Sequence, residues 1–197
     1  MKKSYHHGDL KQTLVGTLYE LVNSEPLEHL TVRFLTDRLG VSRTAIYRHF
    51  PSKEALFSAV VQKAFDALEA ALAEVAVEQD PLQRLHGLGG AYLDFALHYP
   101  RHYRLMMNDQ WRVYREHGCS DCEDKRKGGA FEIVIDACRA AQAAGALREE
   151  DALTQATAFW AMVHGIASLT IDGHLPEEEM GALYESLFRM SCEGMCR

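Results

Sequence analysis

The stretch that decides the fold is "LTVRFLTDRLGVSRTAIYRHFPSKEALFSAV", residues 30–60. Its apolar residues recur at intervals of three and four, which is the spacing of amphipathic helices. Thr31 is suited to cap a short helix, Gly40 to form a left-handed turn after it, and Ser42 to cap the next helix. The pattern therefore predicts two short helices that are joined by about three residues.

This pair of helices has one apolar side and one basic, polar side. A helix-turn-helix unit needs both, because an internal seam holds the two helices together while the second helix enters the major groove of DNA. The residues predicted to form the seam are Phe34, Leu35, Leu39, Val41, Ile46 and Phe50. Those predicted on or near the outward face of the second helix are Arg43, Thr44, Tyr47, Arg48 and His49.

The polar residues divide into two kinds of candidate DNA contact. Arg43 and Thr44, at the start of the helix, suit base reading, because Arg binds guanine bidentately and Thr can contact a thymine methyl group. The residues suited to phosphate contacts are Thr31, Tyr47, His49 and Lys53. The alternative, a merely solvated surface helix, is disfavoured because the capping, turn and lysine positions all occur together at the required offsets.

Charge is distributed unevenly along the chain. Residues 1–53 hold eight Lys and Arg against five Asp and Glu, a net charge of +3. The remaining residues have a net charge of −10, so the whole chain carries −7. This asymmetry indicates a small domain that meets a polyanion, followed by a larger domain that does not. We therefore predict a DNA-binding domain over residues 1–53, with an arm at 1–8, and an effector-binding and dimerisation domain over 54–197.

The rest of the chain also has helical periodicity, and sustained strand alternation is absent from the sequence. A first helix starts near Asp9, and a helix of roughly 25 residues follows the seam and ends before Asp80-Pro81. Further helices are predicted at about 81–98, 100–108, 125–145, 149–171 and 176–192. The predicted fold class is all-α, with about nine helices.

The order of a Thr-led helix, Gly-Val-Ser, Tyr-x-x-Phe and Lys-Glu-x-Leu resembles the DNA-binding region of TetR-family transcriptional regulators over residues 9–60. The resemblance implies a three-helix DNA-binding domain followed by an all-α regulatory domain. It also implies that Arg43 and Thr44 read bases and that the four phosphate candidates anchor the backbone. Thr36 stands where the family usually has Ala, and its small size is expected to preserve the packing.

Two later segments, "AYLDFALHYPRHYRLMM" and "FWAMVHGIASL", resemble the WHG-type C-terminal domain, which is named for residues that are here Trp160, His164 and Gly165. The resemblance implies a homodimer, formed through the helices at about 149–171 and 176–192, that binds a palindromic DNA operator as a repressor. Helical spacing is seen for Ala156, Phe159, Trp160, Val163 and Ala167, and then for Met180, Leu183, Leu187 and Met190. Two such helices from each subunit would form a four-helix interface.

A pocket for a small lipophilic or aromatic effector is predicted between the fifth and eighth helices. Its candidate walls are Tyr92, Phe95, Tyr99, Tyr103, Met106, Met107, Trp111, Phe131, Phe159, Trp160 and His164, although most such residues are ordinary core. Gly87, Gly89 and Gly90 lie within a helical pattern, where each costs about 1 kcal/mol relative to Ala. We therefore expect close packing, or a bend that opens a cavity, at these glycines.

Cysteine usage leaves one alternative open. Five cysteines cannot all pair within one chain, and no secretion signal or apolar run of about 20 residues occurs, so we expect free thiols in the cytoplasm and no membrane contact. Cys119 and Cys122 form a Cys-x-x-Cys pair, and Cys192 and Cys196 lie four apart. These residues keep a redox- or metal-responsive regulator as an alternative.

A helical enzyme is the remaining alternative from another class. The sequence contains no Gly-rich phosphate loop after a strand, no nucleophile elbow and no carboxylate pair with a clear role. We therefore expect a regulator that is not an enzyme and that uses no cofactor or metal, only an unidentified small-molecule effector.

Overall fold

The computed structural model describes residues 7–107 and 129–195, and every regular element within these ranges is a helix. The elements are α1 His7–Ser24, α2 Val32–Leu39, α3 Arg43–Tyr47, α4 Lys53–Val75, α5 Pro81–His98, α6 Pro100–Met107, α7 Ala130–Ala143, α8 Ala152–Ile171 and α9 Glu177–Met195. The predicted all-α fold is confirmed. None of the helices in the described ranges combines the length and the apolar character that a bilayer span requires.

The chain divides into two compact units at a point within α4. Among the described residues, the first unit comprises 7–65 with 101–107, and the second comprises 66–100 with 129–195. This division falls later than the predicted boundary at residue 53, because the first half of α4 supplies buried side chains to the core of the first unit. Those side chains are Leu56, Phe57, Val60 and Val61.

The core of the first unit is built around α1, whose Leu14, Leu18 and Val22 are completely buried. The predicted seam is confirmed: Leu35, Ile46 and Phe50 are buried in this core, and Phe34, Leu39 and Val41 pack against it while partly exposed. Thr36 is also buried, and its hydroxyl donates to the Arg33 carbonyl oxygen at 2.7 Å. A threonine therefore fits at this position without leaving its hydroxyl unsatisfied.

Helix α6 belongs to the first unit and places a histidine inside it. The His102 side chain is completely buried, its ring lies 4.1 Å from the Tyr19 ring, and its Nε2–H donates to the Tyr19 carbonyl oxygen at 2.8 Å. Burial lowers the pKa of His102, and the positive charge of Lys63 lowers it further. The hydrogen bond to Tyr19 and the negative charge of Glu20 raise this pKa, but their effects are smaller than that of burial. The imidazole is therefore neutral in the folded protein near neutral pH.

In the second unit, α5, α7 and α8 pack against one another, and α9 packs against α8. Asp80 and Asp151 cap α5 and α8 by accepting backbone N–H groups of the first turn. Gln155 is the buried polar link between α7 and α8: its Oε1 accepts from Gln142 Nε2 at 3.0 Å, and its Nε2 donates to the Arg148 carbonyl at 3.1 Å. These bonds satisfy a side chain that is buried on all sides.

Two of the three α5 glycines are sites of close packing. A Cβ atom added at Gly89 would lie 2.2 Å from the Tyr184 hydroxyl oxygen, and one added at Gly87 would lie 2.5 Å from Val75 Cγ1. At Gly90, by contrast, no heavy atom beyond the neighbouring residues and the backbone of α5 lies within 4 Å of the added Cβ. The expectation of close packing is therefore confirmed for Gly87 and Gly89, whereas Gly90 has room for a side chain.

We expect the Gly90→Ala variant to raise the free energy of unfolding by about 0.5–1 kcal/mol, because alanine restricts the unfolded chain and favours the helix. The Gly89→Ala variant is expected to lower it, because the new methyl group would overlap Tyr184. Urea unfolding followed by circular dichroism measures both. Equal effects of the two substitutions would contradict the packing described here.

Stability is also expected to depend on pH through His102. The unfolded chain takes up the proton near the ordinary pKa of about 6.5, whereas the buried imidazole takes it up only at lower pH. The contribution of His102 to stability is therefore complete above that pKa and is lost as the pH falls from it towards the lowered folded-state pKa.

The measurement is the free energy of unfolding of the wild type and of the His102→Gln variant, from about pH 7 to about pH 5. The wild-type value should fall more steeply. The comparison is needed because burial also lowers the pKa of His164, which is retained in both proteins. Parallel curves would show that His102 does not titrate as expected.

Candidate nucleic-acid interface and ligand cavity

The turn between α2 and α3 has the geometry of a helix-turn-helix. Thr31 Oγ1 accepts the Phe34 N–H at 3.1 Å, and Ser42 Oγ accepts the Ala45 N–H at 3.2 Å. Gly40 ends α2 with φ 65°, in the left-handed region that glycine tolerates best. The predicted capping and turn roles of these residues are confirmed.

Helix α3 turns its apolar side inward and its polar side to solvent. Ile46 is 1% exposed, whereas Tyr47 is 47% exposed, and Arg43 and Thr44 are also exposed. The helix ends at Tyr47, two residues before the predicted end at His49, and His49 continues it as a turn. We attribute the early end of the helix to Pro51, because a proline disfavours the helical conformation of the residue before it, here Phe50.

Lys53 stands at the start of α4, where Ser52 Oγ accepts the Ala55 N–H at 3.1 Å. The lysine ammonium lies 5.0 Å from the centroid of the Phe57 ring, so its stem packs on the protein while the residue stays partly exposed. The predicted DNA-contacting residues are thus all outside the apolar core: Thr31, Arg43, Thr44 and Tyr47 are exposed, and His49 and Lys53 are partly exposed. Their contacts with DNA stay a prediction.

The second unit contains an apolar cavity of about 20 Å³. Its walls are Leu72, Leu85, Leu88, Gly89, Tyr92, Val134, Phe159, Trp160, Met162, Val163, Tyr184 and Phe188, contributed by α4, α5, α7, α8 and α9. No wall residue carries a charged side chain. The volume is close to that needed by one water molecule, so a larger ligand requires side chains to move.

The predicted pocket residues fall into three groups. Tyr92, Phe159 and Trp160 line the cavity. Phe131 and His164 contact this wall: the Phe131 ring centroid lies 5.3 Å from that of Trp160, and His164 Nδ1 lies in hydrogen-bond contact with the Tyr92 hydroxyl at 3.2 Å. Burial lowers the pKa of His164, so this imidazole is neutral near neutral pH.

The other predicted wall residues do not line this cavity. Phe95 is buried elsewhere in α5, and Tyr99 is 38% exposed at its end. Tyr103, Met106 and Met107 lie on α6, which belongs to the first unit, because the chain enters that unit after Pro100. Trp111 lies outside the described residues.

Sequence reasoning missed the wall that α9 contributes, above all Tyr184 and Phe188. The Tyr184 hydroxyl donates to the His86 carbonyl oxygen at 2.5 Å, and the Gly90 N–H also hydrogen-bonds to it. Burial, with lesser effects of Glu185 and Cys192, raises the pKa of Tyr184. The α5 glycines signalled a close approach, but nothing in the sequence showed which side chain would make it.

The structure leaves the predicted dimer-interface residues of α9 accessible but buries most of those of α8. Ala156, Phe159, Val163 and Ala167 of α8 are buried inside their own unit, so they are not available to a partner. The predicted α9 residues remain accessible: Met180, Leu183 and Leu187 are half-buried, and Met190 is 62% exposed. On α8 the exposed large apolar residues are Leu153, which is 53% exposed, and Leu169, which is 46% exposed.

The two cysteines that the structure describes, Cys138 and Cys192, lie on different helices. Cys138 is completely buried, and burial raises the pKa of its thiol to about 12, so the unreactive thiol form dominates at neutral pH. Cys192 is half-buried on α9. Across residues 7–107 and 129–195, no three His, Cys, Asp or Glu side chains are grouped closely enough to hold a metal ion. Cys119, Cys122, Cys196 and residues 1–6 of the predicted arm at 1–8 lie outside these ranges. Residues 7 and 8 of that predicted arm belong instead to α1.

An exposed polar recognition helix in a helix-turn-helix, followed by an all-helical unit with an apolar cavity, defines a DNA-binding regulator. The family model described as bacterial regulatory proteins, tetR family, matches residues 16–60. The model described as tetracyclin repressor-like, C-terminal domain, matches residues 85–191, more than half of the chain. The chain belongs to the TetR family of bacterial transcriptional regulators.

Individual relatives agree with this assignment. The chain is 33% identical over 87 residues to nucleoid occlusion factor SlmA of Marinobacter nauticus, covering 44% of this chain and 45% of that protein. The corresponding protein of Idiomarina loihiensis is 30% identical over 100 residues, covering 50% of this chain and 51% of that protein. The chain thus spans about half the length of the curated relatives it matches.

Solved structures match over nearly the whole chain. A protein of unknown function from Rhodococcus sp. RHA1 superposes with a TM-score of 0.82 and 26% identity over 100% of both chains. A TetR-family transcriptional regulator from Pectobacterium atrosepticum superposes with a TM-score of 0.73 over 93% of each chain, at 19% identity. The second likeness is evidence for the fold alone.

Proposed function

We propose that this DNA-binding regulator is a cytoplasmic repressor that binds a palindromic operator as a homodimer. A small lipophilic or aromatic effector in the second unit releases it from DNA. The observation that carries the proposal is the orientation of α3, which buries Ile46 and exposes Arg43, Thr44 and Tyr47. No cofactor other than the effector is part of the proposal.

On DNA, α3 enters the major groove with its first residues towards the base edges. Arg43 and Thr44 read bases, and the phosphate contacts come from Thr31, Tyr47, His49 and Lys53. The starts of α2 and α4 add backbone N–H groups and the positive end of each helix dipole. The net charge of +3 on residues 1–53 favours this approach, whereas the −10 on the remainder disfavours contact of the second unit with DNA.

A dimer follows from the geometry of DNA. One chain has one recognition helix, and a palindrome presents two half-sites about 34–36 Å apart on one face of the duplex. The accessible apolar residues of α9, together with Leu169 of α8, supply a surface that a second copy would cover. The four-helix arrangement is consistent with this surface, and it leaves the buried face of α8 in its own core.

Effector control follows from differential affinity. A ligand that fits the second unit only in a conformation with wrongly spaced recognition helices draws the population towards that conformation. The cavity supports this proposal because it is apolar and lies between five helices, two of which carry the proposed dimer surface.

The DNA-binding proposal is tested by selecting binding sequences from a random duplex pool and measuring affinity for the enriched site by fluorescence anisotropy. Arg43→Ala is expected to weaken binding by about 1–3 kcal/mol, roughly 5- to 150-fold, and to relax the preference at one base position. Lys53→Ala should weaken binding to all sequences similarly and reduce the salt slope by about one.

The matched control is Arg148→Ala, which removes one exposed positive charge from the second unit and should leave operator affinity unchanged. The proposal is wrong if no palindrome is enriched. It is also wrong if folded Arg43→Ala and Tyr47→Ala proteins bind the operator as tightly as the wild type.

The dimer surface is tested with a Leu169→Glu, Met190→Glu double variant. Both side chains are exposed in one chain, so folding should be unaffected, whereas an unpaired carboxylate buried between two chains costs about 3 kcal/mol or more. We expect the dimer dissociation constant to rise at least about 100-fold, measured by sedimentation velocity.

Operator affinity should fall together with dimerisation. Val77→Glu, which alters a residue that is 78% exposed between α4 and α5, is the control and should remain dimeric. A double variant that stays dimeric would place the interface elsewhere.

A further inference from the structure

The Tyr184 side chain is held in a notch that exists only because residue 89 is glycine. A Cβ atom at this position would lie 2.2 Å from the Tyr184 hydroxyl oxygen, 2.7 Å from Cζ and 2.9 Å from Cε2. Contacts this short do not occur, so a side chain at residue 89 and the present position of the Tyr184 ring exclude each other. We call this space the Gly89 notch.

The hydrogen bonds of the Tyr184 hydroxyl can break without leaving a backbone group of α5 unpaired. Its hydroxyl bonds to the His86 carbonyl and the Gly90 N–H, which are residues i and i+4 of α5. An α-helix joins these two groups by its own backbone hydrogen bond. When the hydroxyl leaves, the helix therefore keeps both groups satisfied, and only the hydroxyl needs a new partner.

The notch opens onto the cavity, because Gly89 and Tyr184 are both wall residues. The cavity has a volume of about 20 Å³, too small for an organic ligand. Removing the Tyr184 ring from the notch adds the space of a phenol group to it. Movement of the Tyr184 ring would thus enlarge the cavity without breaking a backbone hydrogen bond of α5.

The walls also restrict the chemistry of a ligand. They contain no Asp, Glu, Lys or Arg, so a charged ligand would lose its hydration without gaining a counterion, which is strongly unfavourable. Tyr92 and Phe131 meet the Trp160 ring edge-on, with centroids 4.9 and 5.3 Å away, and provide ring surface for an apolar molecule.

We propose that the effector is an uncharged, largely apolar molecule that occupies this cavity by displacing the Tyr184 ring from the Gly89 notch. The proposal deepens the proposed function and rests on it for the role of the ligand, although binding itself does not require DNA. Tyr184 is carried by α9, whose Met190 lies on the proposed dimer surface. A ligand that displaces the ring therefore acts on a helix of the proposed dimer surface.

The test uses two fluorescent probes that share one ring system and differ in charge. N-phenyl-1-naphthylamine is uncharged, whereas 8-anilinonaphthalene-1-sulfonate carries one sulfonate. Each is titrated against the wild-type chain, Gly89→Ala and Gly90→Ala. Gly90→Ala is the matched control, because it adds the same methyl group one residue away, where no heavy atom beyond the neighbouring residues and the backbone of α5 lies within 4 Å.

We expect Gly89→Ala to bind the uncharged probe about tenfold or more tightly than the wild type and Gly90→Ala, with weak sulfonate binding in all three. Tyr184→Ala, which removes the ring without adding an atom, is expected to show the same increase in affinity for the uncharged probe. This variant replaces Gly89→Ala as the test if Gly89→Ala does not fold. In a Trp111→Phe background, the bound neutral probe should quench the emission of Trp160.

Three results would overturn the proposal. In the first, folded Tyr184→Ala binds the neutral probe no more tightly than Gly90→Ala does. In the second, the sulfonate binds the variants as tightly as the neutral probe. In the third, the tighter binding leaves Trp160 emission unchanged, which places the probe elsewhere.

The outcome is separate from that of the proposed function, because no DNA is present in these titrations. Operator binding by the wild type, measured independently, can succeed while the probe experiment fails, in which case only the present proposal is lost. If the probe experiment succeeds and no operator is bound, the ligand-binding role of the cavity is supported and the proposed function is wrong.

Discussion

Burial of one side of α3 is the interaction on which the candidate DNA surface depends. A five-residue helix is too short to be stable in water by itself, because a helix gains little before several turns have formed. Its conformation comes instead from the Ser42 cap at one end and from Ile46 and Phe50, which are fixed in the core of the first unit. Since Ile46 faces inward, Arg43 and Thr44 must face outward.

The same core connects the DNA-binding unit to the rest of the chain in two places. Helix α4 places Leu56 and Val60 in this core and then continues into the second unit, where Leu72 lines the cavity. Helix α6, which follows the cavity-lining α5 directly after Tyr99, returns to the first unit and buries His102 and Leu105 there. Helix α4 therefore has residues in both units, whereas α5 ends at His98 and α6 begins at Pro100, after the single residue Tyr99.

Local chemistry explains what could be predicted. The helix at 81–98 was predicted with the bounds that the structure has, because Asp80 caps it, Pro81 suits its first turn and Pro100 follows it. Periodicity also identified the apolar face of α8, but it cannot say what covers such a face. Here α5 and α7 cover it, so Phe159 and Val163 belong to the monomer's own core. For the same reason Tyr103 was assigned to the wrong unit.

The sequence by itself determined the helices, the turn at Gly40, the polar face of α3 and the charge difference between the two parts of the chain. These depend on residues within a few positions of one another, and short-range sterics and hydrogen bonds decide them. Only the tertiary structure decided that Tyr184 fills the space at Gly89, that His102 lies against Tyr19, and that the cavity has uncharged walls. Such contacts join residues about a hundred positions apart, and they follow from how whole helices pack.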